Sequence, residues 1–455
     1  MSQHIPFEDL TAQIMELNPV RAIGRVSRVE AGLIHIRGLA GKARIGDLAV
    51  VYRLGEPLSG EILQLDGDEL VLLPDQSPDG VALNDRAALL QARGIAPSDS
   101  WVGRIIDPFG NPLDGKPLLR GSLSRSLRNA PPDAAQRRAM GERMNTGLTV
   151  LNTLLPVVQG QRIGLFAGSG VGKSSLLGHL AQNMTADIVV IALIGERGRE
   201  LRHFIEEVLG EEGLKRAVVV CATSDQSPLI RRRCAWAAMS VAEHFRDRGS
   251  SVLFLADSIT RFAEAHREVA VASGEAPVLR GFPPSTAHLI MSLCERAGPG
   301  ARMQGDITGV FSVLVAGSDM DEPVADILRG VLDGHVVLDR SIAERGRYPA
   351  IDVLRSVSRS LPAAATESEN ALLAQARRLL SVYDENAMMI RAGLYSAGSD
   401  PEVDAAIQIW SELDIFLSKT EKQSIDHSFT QLELVLRRSR SQMPARTSGR
   451  PHSAA

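Results

Sequence analysis

Residues 167–174 read Ala167-Gly168-Ser169-Gly170-Val171-Gly172-Lys173-Ser174, between the apolar run Ile163 to Phe166 and a helical pattern from Ser175 to Asn183. A glycine-rich turn between a strand and a helix lets backbone N–H groups converge on phosphate oxygens, and the helix N-terminus adds the positive end of its dipole. This assigns Gly168, Ser169, Gly170, Val171, Gly172, Lys173, Ser174 and Ser175 to nucleotide binding. Lys173 is placed to reach the β- and γ-phosphates, and the Ser174 hydroxyl to sit on Mg²⁺. Ala167 stands at the motif's first glycine, where a small residue still fits.

Two acids stand where such a loop needs them. The apolar run from Ile188 ends in Gly195-Glu196-Arg197, and a carboxylate at the C-terminal edge of a parallel strand faces the ligand crevice. Glu196 there can orient the attacking water. Val252 to Asp257 is a second apolar strand ending in an acid, the position that holds Mg²⁺. Asp257 or Ser258 could equally cap the helix that follows, and both roles are compatible. Tyr348, after Arg345-Gly346, is either an adenine-stacking aromatic or a core tyrosine. Arg359 alone would read as a surface arginine; as a finger on the transferring phosphoryl group it would contribute ~10³–10⁵ in rate.

The elements that must position these residues follow from periodicity. Residues 5–17 space Ile5, Phe7, Leu10, Ile14 and Leu17 as a short amphipathic helix, packed on its own core or docking a partner. From Arg21 to about Leu90, short alternating segments separated by Gly and Asp turns predict a small barrel. A linker containing Pro131-Pro132 and Arg137-Arg138 leads to candidate strands Arg162–Phe166, Ile188–Ile194, Ala217–Ala222, Val252–Ala256, Val310–Val315 and His335–Leu338. Helical patterns separate the first four, so a mostly parallel sheet covered on both faces is expected. From about Glu367 to Arg437 only helical faces remain, and Arg438 to Ala455 reads as a disordered tail. The expected domains are 1–20, 21–95, 96–365 and 366–437, followed by the tail 438–455.

Bulk composition narrows the function. The 455 residues are 44% hydrophobic and 23% charged, ordinary for a soluble globular protein. A net charge of −4 carries no basic field for nucleic acid, and 4% aromatics leave little for base stacking. Met1 to Glu8 lacks a signal-peptide pattern, and no run of about 18 apolar residues spans a membrane. The three cysteines, Cys221, Cys234 and Cys294, show no paired or metal-ligand spacing. A cytoplasmic chain, peripheral to the membrane at most, is expected.

Together these motifs resemble the catalytic subunits of rotary ATP synthases and their type III export relatives, with flagellar export ATPases the closer match. The resemblance runs from about Arg21 to Leu436. Its further markers are Asp257 to Ala263, Arg280 to Ser285 and Ala343 to Asp352. It implies a RecA-like P-loop core between an N-terminal small β-barrel and a C-terminal helical domain. It assigns Glu196 as the catalytic carboxylate, and Lys173, Ser174 and Asp257 to phosphate and Mg²⁺. Arg197 and Arg261 balance charge, Tyr348 stacks on adenine, and Arg359 crosses a subunit interface. One chain carrying both Glu196 and Arg359 implies a homohexamer. Further implied partners are a stator-like regulator at the N-terminal helix, a central stalk, an export gate and chaperone–substrate complexes. The location would be the cytoplasmic base of the flagellar export apparatus. An injectisome ATPase is the near alternative and a hexameric RNA-dependent motor the remote one. Residues 21–90 hold a single aromatic, Tyr52, which disfavours the motor. A non-catalytic ring subunit would lack Glu196. Asp306 departs from the family's Gly-Ser-Ile-Thr, and nothing in the sequence accounts for it.

Overall fold

The computed structural model describes residues 20–90, 94–278, 280–315 and 320–440, with side chains to 437. The predicted helix 5–17 and the tail from 441 lie outside the described residues.

Six short strands close the N-terminal barrel: β1 (Ile23–Glu30), β2 (Leu33–Arg37), β3 (Leu48–Tyr52), β4 (Leu58–Asp66), β5 (Glu69–Pro74) and β6 (Arg86–Leu90). Their order around the barrel is β1-β2-β5-β4-β3-β6. The alternation in β2 shows why they curl: Ile34 and Ile36 face the interior, fully buried, while Arg37 points out. The closing strand β6 was not expected. Arg-Ala-Ala-Leu-Leu carries no alternation, yet it pairs with both β1 and β3. Leu63 on the barrel packs with Leu229 and Val269, so the barrel is seated on the larger domain.

The larger domain is a nine-stranded sheet. Its strands are β7 (Arg104–Ile106), β8 (Arg162–Ala167), β9 (Ile188–Glu196), β10 (Ala217–Thr223), β11 (Val252–Asp257), β12 (Gly298–Pro299), β13 (Asp306–Leu314), β14 (Gly334–Leu338) and β15 (Ile351–Ser358). The order is β15-β14-β8-β13-β11-β9-β10-β7, with β12 beside β13. Only β12 and β15 run antiparallel to their neighbours. Helices cover both faces, which is why the strands read as unbroken apolar runs. Along β9, Val189, Ile191 and Leu193 enter one core, while Val190, Ala192 and Ile194 enter the other.

The C-terminal helices Glu367–Arg391, Pro401–Ser418 and Ile425–Arg440 form no separate core. Leu373, Ala376, Ile409, Leu413 and Leu432 join the cluster that holds Leu165 and Leu177. Thr366 and Glu369 form a capping box that starts the first of these helices.

Two strands differ from expectation because polar residues interrupt them. β13 begins at Asp306 rather than Val310. Buried Thr308 accepts from the Gly160 N–H at 2.9 Å, and Asp306 accepts from Arg138 (2.7 Å) and the Gly300 N–H (3.1 Å). The unexplained carboxylate therefore ties the linker to the sheet. β15 is an edge strand with one wet face, and Asp352 and Arg355 mask its apolar pattern.

A second tie is buried. Arg296 makes a two-pronged contact with Glu243 (2.7 and 2.8 Å), with side chains 2% and 1% exposed. Arg296 also donates to the Leu127 carbonyl, and Asn129 donates to Glu243. Removing one member of such a pair leaves a buried charge, at a cost of roughly 3–5 kcal/mol. Glu243→Ala should therefore lower the urea midpoint and expose residues 121–143 to limited proteolysis. An unchanged cleavage pattern would show that the pair does not hold the linker.

Candidate functional site

The glycine-rich turn leaves β8 and enters the helix Lys173–Asn183, whose N-terminus has no side-chain cap. Its first N–H groups stay open to a phosphate. Gly172 has φ +88°, and a Cβ there would lie 3.2 Å from the Tyr348 ring. Glycine thus permits both the turn and the aromatic lying against it. Gly168, Ser169, Gly170, Val171, Lys173 and Ser174 line a cleft of about 1060 Å³. Ser175 is exposed one residue further on.

Glu196, Arg197 and Asp257 line the same cleft. Glu196 reaches it through a bulge. β9 pairs Ile194 with Ala222, then Glu196 with Thr223, so Gly195 is an extra residue with φ +68°. A side chain on Gly195 would meet Arg231 and Arg261 at 3.3 to 3.5 Å. Asp257 ends β11 at the cleft, and Ser258 caps the next helix by accepting from the Arg261 N–H at 3.3 Å, which is the capping reading.

The electrostatics are unbalanced. The Lys173 ammonium donates to Asp257 and stands 3.9 Å from Glu196. Ser312, fully buried on β13, donates to the same Asp257 oxygen at 2.7 Å. Burial, and then the Asp257 charge, push the Glu196 carboxyl up to about 7, against the opposing pull of Lys173. Two carboxylates facing one ammonium leave room for a further cation. The Ser174 hydroxyl and the Asp257 carboxylate are hard oxygen donors of the kind Mg²⁺ takes alongside phosphate and water. The residues present therefore fit Mg²⁺.

The cleft arginines are tethered. Arg197 faces Glu200 at 3.6 Å, Arg261 faces Glu264 at 2.9 Å, and Arg231 faces Glu268 at 3.0 Å. Tyr348 and Arg359 flank opposite ends of one strand. Ile351 of β15 pairs with Leu338, which pairs with Ala167 at the phosphate-loop end. Ser358 pairs with Gly334 at the other end. Eight residues of β15 span roughly 25 Å. Tyr348 therefore stays at the phosphate loop, while exposed Arg359 lies away from its own chain's cleft, donating to the Arg329 carbonyl at 3.1 Å.

Sequence reading missed Ser312, Arg231 and Glu264. A lone hydroxyl inside the buried run Val310 to Val315 was a usable signal for Ser312. Arg231 and Glu264 sit on helices, where charged residues are unremarkable. All three cysteines are buried and free, and burial pushes the Cys221 thiol up to about 12.

Comparison with known proteins agrees with this geometry. Residues 147–358 match the nucleotide-binding domain of the ATP synthase alpha/beta family, and residues 365–434 match the C-terminal domain of the type III secretion ATPase EscN. The flagellum-specific ATP synthase of Caulobacter vibrioides is 44% identical, covering 94% of this chain and 98% of that protein. That of Salmonella typhimurium is 39% identical over 94% and 96%. The assembled ATPase EscN of enteropathogenic E. coli superimposes with a TM-score of 0.83 at 37% identity, covering 91% of this chain and all of that one. A second EscN structure, in complex with its central stalk EscO, gives 0.82 at 36%. Fold and cleft define a P-loop ATPase with an ATP-synthase-type core. The chain belongs to the ATP synthase alpha/beta family, in the branch of the flagellum-specific ATPases.

The raised carboxyl gives a direct check. Burial and the Asp257 charge hold the Glu196 carboxyl up at about 7. Its carboxyl signal, followed by infrared or ¹³C NMR, should titrate there and vanish in Glu196→Gln. Lys173→Ala should move the midpoint higher, because it removes the opposing positive charge. A midpoint near 4.5 would reject this electrostatic picture.

Proposed function

We propose that this chain hydrolyses Mg·ATP in a ring of its own copies and powers export of flagellar proteins through a type III apparatus, releasing substrates from their chaperones. The observation that carries this reading is that Glu196 faces the cleft while Arg359, in the same chain, is exposed and turned away from it. Identical copies placed side by side would complete every site.

In this reading Lys173 exchanges Asp257 for the β- and γ-phosphates when nucleotide enters. Ser174 and Asp257 would hold Mg²⁺, which when bound would neutralise charge on the phosphates. Ser312 keeps the Asp257 carboxylate oriented while Lys173 leaves it. Glu196 orients the attacking water and takes its proton. Arg197 and Arg261 balance charge, Tyr348 stacks on adenine, and Arg359 of the neighbouring copy stabilises the transferring phosphoryl group.

Partners follow the same line. The assembled EscN in complex with its central stalk EscO supports an oligomer with a central stalk-like partner, and the ring in this reading is a homohexamer. A stator-like regulator would take residues 1–20, with an export gate and chaperone–substrate complexes as further contacts. Among the described residues no helix is long and apolar enough to cross a membrane. A site at the cytoplasmic base of the flagellar export apparatus suits this. The curated relatives' names favour the flagellar system over the injectisome.

Glu196→Gln should bind ATP yet lose on the order of 10²–10⁴ in kcat. Lys173→Ala and Arg359→Ala chains should each be nearly inactive alone and regain activity when mixed. Failure of every mixing ratio would overturn the shared site. A deletion strain that swims normally would exclude the flagellar role.

A further inference from the structure

A cleft of about 410 Å³ lies where the barrel, the linker and the larger domain meet. Three segments wall it. The barrel gives the turn 44–47, the linker gives residues 124–128, and the helix Pro228–Asp247 gives Arg233 and Trp236. It shares no lining residue with the nucleotide cleft.

Each wall is held in place by the chain itself. In the turn, Asp47 accepts the Arg44 N–H at 2.8 Å, and the Gly46 N–H donates to the Ile62 carbonyl at 2.8 Å. Arg125 and Ile95 exchange backbone hydrogen bonds in both directions, at 3.0 and 2.8 Å. The Ser126 carbonyl accepts from Ser240, and the Leu127 carbonyl from Arg296. Trp236 is 5% exposed and packs against two guanidiniums, Arg128 at 4.4 Å and Arg232 at 5.1 Å from the ring centre. That contact steadies the otherwise exposed Arg128 at the cleft.

The charges lining the cleft do not balance. Arg44, Arg125, Arg128 and Arg233 face it, and among the described lining residues Asp47 is the one acid. The acids behind the walls are already shared. Arg125 Nη1 donates to Asp247 at 2.7 Å, but Asp247 also accepts from Arg246. Glu61 stands 3.8 Å from Arg128, yet its nearer partner is the buried Arg232 at 2.8 Å. Arg125 Nε is buried without an acceptor. Arg233 donates to the Pro108 carbonyl, and burial pushes its guanidinium down to about 10 although Glu61, Asp107 and Asp75 pull the other way. An anion in the cleft would offset both penalties.

The depth of the cations selects the anion. Arg44 and Arg128 are exposed at the rim, while Arg125 and Arg233 are partly buried beneath. An acidic protein surface would meet only the rim. A small molecule with two charged groups can enter and meet both levels, and about 410 Å³ is a small-ligand volume. We propose that this cleft binds a small soluble diphosphate, whose oxygens accept from Arg44 and Arg128 at the rim and from Arg125 and Arg233 beneath. Such a ligand bridges barrel, linker and helix, and so fastens the barrel to the domain that carries the nucleotide cleft. Neither the binding nor the bridge depends on the ring or the export role proposed above.

The test is calorimetric titration of the full chain with methylenediphosphonate, with saturating ADP and Mg²⁺ filling the nucleotide cleft. One saturable site per chain is expected. Inorganic phosphate, with one charged group, and hexaglutamate, an acidic peptide, should each bind at least about tenfold more weakly. Arg44→Gln and Arg128→Gln should each weaken methylenediphosphonate by about tenfold. Ser124→Glu, which adds a negative charge to the exposed rim, should abolish binding. All three variants should leave basal ATPase unchanged. Amide exchange over residues 44–47 should slow when the ligand binds. Absence of a saturable signal, equal binding of phosphate or hexaglutamate, or indifference to all three variants would overturn the site. With binding intact, unchanged exchange over residues 44–47 would overturn the bridge.

Discussion

One ammonium between a buried carboxylate, Asp257, and a half-buried one, Glu196, is the constraint on which this molecule turns. Lys173 serves Asp257 directly and Glu196 at 3.9 Å, and neither acid is well hydrated. Burial, and then the nearby Asp257 charge, push the Glu196 carboxyl up to about 7 against the pull of Lys173.

Holding like charges close needs a stiff frame. The three elements that deliver Lys173, Asp257 and Glu196 are β8, β11 and β9, with β13 between the first two carrying Ser312. Every one of these strands is buried on both faces, so the acids cannot separate without opening two cores. The C-terminal helices share the core beneath the phosphate loop, and the linker is tied by Asp306 and by the Arg296–Glu243 pair. Rearrangement at the nucleotide cleft therefore bears on barrel, linker and helices together.

Much of this was legible in one dimension. Local motifs such as the phosphate loop, Gly195-Glu196 and the acid ending β11 depend on a strand edge followed by a turn, and such edges leave apolar runs that stop abruptly. What escaped was long-range. β6 carries no pattern of its own and exists because β1 and β3 need a strand between them. β15 pairs on one side only, so its polar face hid it. Ser312, Arg231 and Glu264 meet the cleft through sheet order and helix packing, which residue spacing does not encode.

The amino-acid order by itself carried the phosphate-loop pattern, a lysine in it, two acids ending apolar strands, and Arg359 on the same chain. Those are statements about neighbours along the chain and about residue type. The tertiary structure decided the charge balance, because only packing sets how near Lys173 comes to each acid and how far burial raises Glu196. It also decided direction. Antiparallel pairing of β15 sends Tyr348 to the phosphate loop and Arg359 to the opposite end of the sheet, away from that chain's own cleft.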